Sequence, residues 1–553
     1  MYPGWAVYLC LVLALTVSTP VGGVAFAAPA TPAAGASADG CMGQVPPANG
    51  PQAAVLQSVV FDGVRKLRPA ALQAIWASCV GKTVTFDDLK LIARKTEAAY
   101  AKRGYPFVAV VIPPQDISDG VVHFKVLEGR IASITYLGAD TEARRQAAAV
   151  FATLLNKQPV STDDFDSAFL RSKQIPGLTA TGTLGPSSQN GEMELVVATK
   201  RQEWTTYANA NNDYAPALGI WAVTLAAERA GGSIYGDLAT AQILASPDFQ
   251  RQVNLRAGYT RGLDATGTSA GVYVLVSEAK PTGAFSDLAI VTNAVNARAE
   301  LNQVLFQQPI STVTATLGLE VNNQSTSVFS NTQIGRDRLR ILSARLSGDS
   351  TSALGYGVWQ VEVRQGLSIL GASRAGDSLL SHFSADPDAT IVKGSAEFDT
   401  APWHGMQLAA KLQGQSAAHA VLVPEQFAVG NLSIVRGFDP GALLADRALA
   451  GGLEMRTPPL FSRGEAKVSA FAFVEGAQLW TLSPASSRWA ASDGGGIRVD
   501  LPNRLRMEVA FVDPHPIAGV RAPARLLVNI TTELNPLGSA LGHLMSTFSR
   551  VST

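Results

Sequence analysis

From about residue 204 to residue 534, hydrophobic and polar residues alternate along many short segments of the chain. Three segments show the alternation most strictly: 253–260, 313–322 and 504–511. In the second of them one face carries Val313, Ala315, Leu317, Leu319 and Val321, and the other carries Thr314, Thr316, Gly318, Glu320 and Asn322. A period of two predicts β-strands with one apolar and one wet face. The pattern fits both a soluble antiparallel sandwich and a barrel in a membrane.

Residues 55–199 follow a different pattern, in which strand and helix signals occur twice in the order β-α-α-β-β. The first unit opens with an apolar strand at 55–61 and helical spacing at 69–76. Thr85 is a plausible N-cap for a second helix, which Gly104 ends as a C-cap. Two strands, at 107–112 and 121–127, complete the unit.

The second unit is more diverged but has the same order. A strand at 131–136 precedes a helix at 141–155. Ser161 begins a further helix that runs to residue 171, and strands at 175–180 and 194–198 follow. We therefore predict two small α+β domains in front of the long strand region.

The chain begins with an apolar run at 5–17 and an Ala-x-Ala pattern, which predict a signal peptide over residues 1–27. Residues 28–51 consist largely of Ala, Pro, Gly and small polar residues, and such a composition predicts a flexible linker. No later window approaches the roughly 18 to 20 apolar residues of a spanning helix. Any membrane crossing therefore has to use strands.

Composition excludes several classes of function. The 553 residues include 44 basic and 44 acidic ones, so the chain lacks the basic surface of a nucleic-acid-binding protein. The usual sequence motifs of hydrolases and metalloenzymes are absent, and we predict no enzymatic activity, no cofactor and no metal site. If Cys10 is removed with the signal peptide, Cys41 and Cys79 can form a disulfide or stay as two unpaired thiols.

The strand region is long enough for a large barrel. Its span of roughly 330 residues, divided by about 20 residues per strand and connection, gives about sixteen strands. The signal peptide and the lack of helical interruption favour an antiparallel transmembrane β-barrel over a sandwich. Turn composition places the longest connections at 325–335, 373–388 and 417–448.

The last of these connections contains Val435-Arg436-Gly437-Phe438. Four such residues alone fit an exposed hairpin turn. Their context in 431–454 resembles the signature loop of the two-partner secretion transporters, the TpsB family. The segment 365–372 is similar to another barrel segment of that family, and the resemblance implies that the loop 417–448 folds into the barrel.

The first α+β unit resembles a polypeptide-transport-associated (POTRA) domain. The resemblance rests on residues to which we assign structural roles: Gly104, Tyr105, Gln115, Asp116, Gly120, Glu128 and Gly129. We interpret Tyr105 as an aromatic that closes a helix cap and Glu128 as an acid in a turn. The implied domain order is POTRA 1 at 52–129, POTRA 2 at 130–201, the barrel at 202–534 and a C-terminal tail at 535–553.

The family resemblance also implies a charged pair in the barrel. Relatives have a Phe-x-Asp motif whose carboxylate pairs with the loop arginine, and this chain has Phe473-Val474-Glu475. Asp446 and Glu454 match further acids of the pattern, although alanines replace the two glycines expected around Asp446. We expect Arg436 to bond Glu475 and fix the loop. The alternative is an arginine in a watery lumen with no fixed partner.

These features lead to one functional expectation and two alternatives. The resemblance implies an outer-membrane translocase of a Gram-negative bacterium, whose periplasmic POTRA domains receive a secreted, β-helical TpsA-like client such as an adhesin, haemolysin or toxin. Its other partners would be outer-membrane lipid and the barrel-assembly machinery, and nucleic acid would not be one. The alternatives are a barrel-assembly insertase and a passive porin or receptor.

Overall fold

The computed structural model describes residues 54–534, apart from 156, 187–191, 330–331, 432–433, 516, 518 and 521. The predicted signal peptide, linker and C-terminal tail lie outside the described residues, as does Cys41. The chain forms two compact units, and the division falls near residue 200. Among the described residues, no helix is long and apolar enough to cross a bilayer.

The N-terminal unit contains two α+β modules in succession. The first has the elements β1 (Ala54–Val55), β2 (Ser58–Asp62), α1 (Pro69–Trp76), β3 (Thr83–Val84), α2 (Phe86–Ala101), β4 (Val108–Val111) and β5 (Val121–Glu128). The second has β6 (Arg130–Leu137), α3 (Thr141–Phe151), α4 (Thr162–Gln174), β7 (Leu178–Pro186) and β8 (Glu192–Arg201). Their main sheets have the strand orders β2-β5-β4 and β6-β8-β7.

Local chemistry explains the first module. Thr85 and Asp88 form a reciprocal capping box at the start of α2, and Gly104 follows that helix with φ +83°. The apolar face of α2 packs against the sheet, and Tyr100 of α2 and Val122 and Phe124 of β5 are fully buried. In the second module, α4 continues to Gln174 and β7 begins at Leu178, so the strand predicted at 175–180 starts too early.

The C-terminal unit is a closed antiparallel barrel of sixteen strands, which confirms the predicted fold class. Its strands are β9 (Trp204–Asn211), β10 (Ala222–Ala230), β11 (Asp237–Ala245), β12 (Gln252–Gly262), β13 (Thr268–Ala279), β14 (Val291–Gln308), β15 (Ser311–Val328), β16 (Thr332–Ser352), β17 (Gly355–Gly366), β18 (Thr390–Thr400), β19 (Gln407–Ala417), β22 (Arg447–Arg456), β24 (Ala466–Leu482), β25 (Ala485–Leu501), β26 (Leu505–Pro514) and β27 (Arg525–Glu533). β27 pairs with β9 and closes the sheet.

Three short strands lie in the connections of the barrel: β20 (Phe427–Val429), β21 (Leu443–Ala445) and β23 (Phe461–Arg463). The first two pair with each other inside the long connection between β19 and β22. The third pairs with β24.

The two faces of the barrel wall differ as the alternation predicts. On β15 the side chains of Leu317 and Leu319 are 57% and 58% exposed on the outer face. Thr316 and Glu320 of the same strand are 5% and 8% exposed and face inward. An apolar outer face and closed strand pairing are what a barrel in a bilayer requires.

Connection lengths differ between the two ends of the barrel. We call the end at which β9 begins the near end and the other the far end. At the far end, long connections at 367–389 and 418–446 follow β17 and β19. The predicted turn at 325–335 is wrong, because β15 continues to Val328 and β16 begins at Thr332. Polar inward-facing residues such as Thr326 give that segment its turn-like composition.

Candidate functional site in the barrel lumen

The long connection 418–446, which we call the inner loop, contacts the inward face of the barrel wall through Arg436. Its guanidinium bonds Glu475 twice, from Nε at 3.0 Å and from Nη2 at 2.8 Å, both to Oε1. The backbone N–H of Arg436 donates to the other oxygen of Glu475, at 2.8 Å. The carboxylate of Glu475 therefore binds both the side chain and the main chain of the loop.

Two further groups complete the surroundings of this arginine. The guanidinium carbon lies 3.5 Å from the centroid of the Phe473 ring, in a cation–π contact. Nη2 also lies 3.3 Å from Oε2 of Glu454. We call Arg436, Phe473, Glu475 and Glu454 the tip cluster.

Glu454 is shared among three arginines. Besides Arg436, it accepts from Arg456 and Arg498, each at 2.8 Å. Arg498 in turn bonds Glu508 at 2.6 Å. The tip cluster thus continues into a charge network on β22, β25 and β26, in which removal of one acid would leave several cations close together.

The backbone of the loop tip is strained. Val435 has φ +63°, a left-handed conformation that is costly for a β-branched residue, and its side chain is fully buried. Gly437 has φ +96°, and a Cβ there would lie 3.0 Å from Val512 and Pro514. Its N–H donates to Asn431 at 2.6 Å. Phe438 is fully buried in an apolar cluster with Val429 and Leu443.

Asp446 holds the two ends of the inner loop. It is fully buried, and its Oδ1 accepts from the N–H of Val421 at 2.9 Å. Its Oδ2 accepts from the N–H of Leu482 at 2.7 Å, where β24 ends. The alanines that replace the expected glycines, Ala445 and Ala448, are buried in the same apolar cluster as Phe438, so their methyl groups fill space there.

The wall beside Glu475 contains glycines that make room for this longer acid and its neighbour. Gly452 on β22 is the register partner of Glu475, and a Cβ at Gly452 would lie 2.9 Å from Glu475 Cγ. Gly494 is the partner of Phe473, and a Cβ there would lie 2.8 Å from the ring. Glycines at both positions let Glu475 and Phe473 lie flat along the wall under the arginine.

Asp213, in the connection between β9 and β10, lies close to the tip cluster. Its carbonyl accepts from Asn431 Nδ2 at 3.0 Å. Burial raises the pKa of its carboxyl to about 7; the charge of Glu508 adds to this rise and that of Arg436 opposes it. No motif in the sequence pointed to Asp213.

The POTRA-type residues organise the first module. Glu128 is the last residue of β5 and 3% exposed, which corrects its interpretation as a turn residue. It accepts from Tyr100 Oη at 2.7 Å and from the N–H of Arg65 at 2.8 Å. Burial, then the hydrogen bond to Glu128, raises the pKa of Tyr100. Sequence reasoning missed this buried pair.

The remaining motif residues shape turns and edges. Gln115 exchanges two 2.7 Å hydrogen bonds with the backbone of His123 beside β5. A Cβ at Gly120 or Gly129 would lie 2.5 or 2.2 Å from a backbone oxygen, so neither position tolerates a side chain. Asp116 accepts from the N–H of Ser118, which lowers the pKa of this exposed acid. Tyr105 packs against the core of the module.

Cys79 is 2% exposed and disulfide-bonded. Because Cys41 lies outside the described residues, its pairing with Cys79 stays a prediction.

Two family models match this chain. One is the ShlB-type POTRA domain, over residues 54–129, and the other is the haemolysin secretion/activation protein ShlB/FhaC/HecB, over residues 277–499. The second match includes the inner loop and the tip cluster.

Two groups of curated proteins are similar in sequence. The heme/hemopexin transporter protein HuxB of Haemophilus influenzae (strain 86-028NP) is 24% identical over 243 residues, which cover 43% of this chain and 42% of HuxB. The outer membrane transporter CdiB of Escherichia coli is 32% identical over 89 residues, 16% of this chain and 15% of CdiB. The chain thus spans less than half the length of each relative.

Solved structures agree over far more of the chain. CdiB from Escherichia coli has a TM-score of 0.72 at 18% identity, covering 89% of this chain and 92% of that one. BamA from Haemophilus ducreyi, without its POTRA domains 1–3, has a TM-score of 0.52 at 14% identity and covers 87% of this chain. At these identities both likenesses establish the fold alone.

A sixteen-stranded barrel that follows a POTRA region defines an outer-membrane protein of Gram-negative bacteria with its POTRA domains in the periplasm. Over residues 54–129 and 277–499 the chain matches models of the TpsB family of two-partner secretion transporters. Transporters of this family act with secreted TpsA-like partner proteins.

Proposed function

We propose that this protein exports one large, secreted, β-helical partner protein from the periplasm to the cell surface. The partner belongs to the adhesin, haemolysin or toxin class. The tip cluster carries the proposal, because a passive pore has no need of a strained loop fixed to its inner wall. The similarity to HuxB and CdiB, both of which are transporters, supports export.

In this proposal the tip cluster holds the inner loop in the competent resting position. Two guanidinium nitrogens and the backbone N–H of Arg436 all donate to Glu475, and the ring of Phe473 lies against the guanidinium, so orientation as well as distance is fixed. The strain at Val435 and the surplus of arginines around Glu454 make the alternative, displaced arrangement accessible. A client that enters the lumen displaces the tip, and the tip returns after the client has left.

The POTRA domains receive the client in an extended conformation. In the first module β4 pairs with β5 on one side, and its other edge faces α2. On that edge the N–H of Val110 donates to Glu97 Oε1 at 2.9 Å. An added client strand would replace this side-chain acceptor with its own backbone carbonyls.

The barrel has partners of its own in this proposal. Its outward apolar side chains bind lipid, and the barrel-assembly machinery inserts the barrel into the membrane.

A comparison of secreted proteins tests the proposal. The gene is deleted in its source strain, and the culture medium is compared by mass spectrometry with that of the parent. We expect one large protein to disappear and to return on complementation with the wild-type gene. A variant lacking residues 54–199 is expected to insert but not to restore export. An unchanged medium with depleted outer-membrane barrels would instead identify an assembly insertase, and no change in either would leave a passive pore.

A further inference from the structure

A second group of buried charges holds the inner loop, close to where it leaves β19. Glu425 ends the short turn Val423–Glu425 and binds Arg364 of β17 through both oxygens, with Arg364 Nε at 2.9 Å from Oε2 and Nη2 at 2.8 Å from Oε1. Lys393 of β18 lies 3.5 Å from Glu425 Oε2. The side chains of Arg364 and Glu425 are 8% and 7% exposed, so this bidentate pair is almost fully shielded from water.

The pair continues into a network along the inner wall. Arg364 also lies 3.1 Å from Glu320 and 3.4 Å from Glu362. Glu362 leads to Arg298, and Arg298 and Arg345 share Glu300 at 2.6 and 2.8 Å. We call these residues and Lys393 the base cluster: Arg298, Glu300, Glu320, Arg345, Glu362, Arg364, Lys393 and Glu425.

Charge balance in the base cluster depends on the loop. Four cations, Arg298, Arg345, Arg364 and Lys393, lie among four carboxylates, of which three belong to barrel strands and the fourth is Glu425. Withdrawal of the loop would leave four cations with three acids in a shielded site. Burial raises the pKa of Glu425, but Lys393 and Arg364 more than offset it and lower the pKa to about 2, so this acid is ionised at neutral pH.

Apolar packing holds the same part of the loop. Leu422 is 1% exposed and packs with Leu339 and Ile341 of β16, and Val421 packs with Ile391 of β18. The carbonyl of Glu425 accepts from Gln415 Nε2 at 2.9 Å. The backbone here is unstrained: Leu422 and Gln426, which flank the turn, both have extended conformations.

The two clusters therefore hold different parts of one loop in different ways. The Arg364–Glu425 pair of the base cluster is almost dry, and the loop backbone beside it is unstrained. The tip cluster is attached to β22 and β24 through Arg436, which is 18% exposed and follows the left-handed Val435. Of two attachments in series, the strained and more exposed one opens first. The base then limits how far the loop travels.

We propose that Arg364 and Glu425 are positioning residues that keep the first half of the inner loop on the barrel wall throughout export, so that the tip swings about a fixed base. This inference rests on the proposed function. It assigns motion to the segment after Gln426 and none to the segment before it.

Cross-linking separates fixed from moving parts. In one variant Glu425→Cys and Arg364→Cys are joined by a short bis-methanethiosulfonate cross-linker, and in a matched variant Arg436→Cys and Glu475→Cys are joined in the same way. Mass spectrometry verifies each link, and heat-modifiable gel mobility verifies the folded barrel. The readout is the amount of the TpsA-like partner in the medium before and after reduction.

We expect export through the base-linked barrel to match its reduced form, and export through the tip-linked barrel to be lost until reduction. A base link that blocks export reversibly would overturn the inference, because the base would then have to open. If the proposed function itself is wrong, deletion of the gene removes no protein from the culture medium. That result does not depend on either cross-link.

Exchanging the charges of Arg364 and Glu425 is a control for structural effects of the cysteine substitutions. Arg364→Glu alone is expected to increase protease cleavage of the loop and single-channel conductance, and Arg364→Glu with Glu425→Arg is expected to reverse both changes. Unchanged conductance and cleavage in Arg364→Glu would show that the pair does not position the loop.

Discussion

The tip cluster and the base cluster bind the same loop with the same kind of ion pair, but in different environments. The Arg436 side chain is 18% exposed and Glu454 divides its oxygens among three arginines. In the base cluster Arg364 takes both oxygens of Glu425, and neither side chain exceeds 8% exposure. A pair in a drier site resists opening more strongly once formed, and costs more when one partner is removed. The contrast suggests that one attachment is built to open and the other to hold.

The largest effect on stability is expected from the base. Arg364→Met leaves Glu425, Glu320 and Glu362 without their shared cation, and breaking a buried pair in this way costs about 3–5 kcal/mol. The measurement is the urea concentration at the midpoint of barrel unfolding, with heat-modifiable gel mobility as the readout of the folded barrel. Arg506→Met is the matched control, because Arg506 is largely exposed and bonds a single acid, Asp500. Equal midpoints for the two variants would contradict the contrast between a buried and an exposed pair.

An intermediate effect is expected from the wall beneath the tip. Gly452→Ala places a methyl group 2.9 Å from Glu475 Cγ and displaces that acid from Arg436. Overpacking of this kind costs about 1–3 kcal/mol, here at the loop contact. Partner export should fall, and Glu475→Asp, which shortens the acid, should restore part of it in the Gly452→Ala background.

Gly451→Ala is the control for that series. Its added methyl group meets Lys411 O at 3.5 Å and Leu412 at 3.9 Å, both ordinary contacts. If Gly451→Ala and Gly452→Ala reduce export equally, crowding of Glu475 is not the cause.

A further expected effect is a dependence of stability on pH beside the tip. Asp213 has a pKa raised from 3.8 to about 7 by burial, so the folded protein keeps a proton that the unfolded chain has lost. Its contribution to stability is therefore greatest below pH 3.8, falls as the pH rises from 3.8 to 7, and is constant above that. Asp213→Asn should flatten the stability profile between pH 4 and pH 7 and raise stability at pH 8. If the substitution leaves the pH profile of stability unchanged, Asp213 does not contribute to the electrostatics of the tip cluster.

The sequence predicted the barrel well because its information is local. Alternation on β12, β15 and β26 shows in a few consecutive residues, and strand number follows from length. The capped helix that begins after Thr85 was predicted for the same reason. The prediction of a turn at 325–335 was wrong because polar residues on the lumen-facing side of a strand have the composition of a loop.

The tip and base clusters differ in how far the sequence could reveal them. Arg436 and Glu475 stand in short motifs and were expected to meet, and the structure brings them together; their functional role stays a prediction. Arg364 and Glu425 are 61 residues apart and belong to no motif, so closure of the barrel and entry of the loop are needed to join them. One signal was present: Glu320 is a charged residue on the wet face of a strand, where water or a partner has to compensate its charge.

The most direct test of the central claim is partner export by Arg436→Ala, with Arg436→Lys as the variant that keeps the charge but loses the planar fork. Both barrels should assemble with wild-type heat-modifiable mobility. We expect Arg436→Ala to abolish export and Arg436→Lys to retain a small part of it. Wild-type amounts of partner in the medium of the Arg436→Ala strain, with the barrel assembled, would contradict the account.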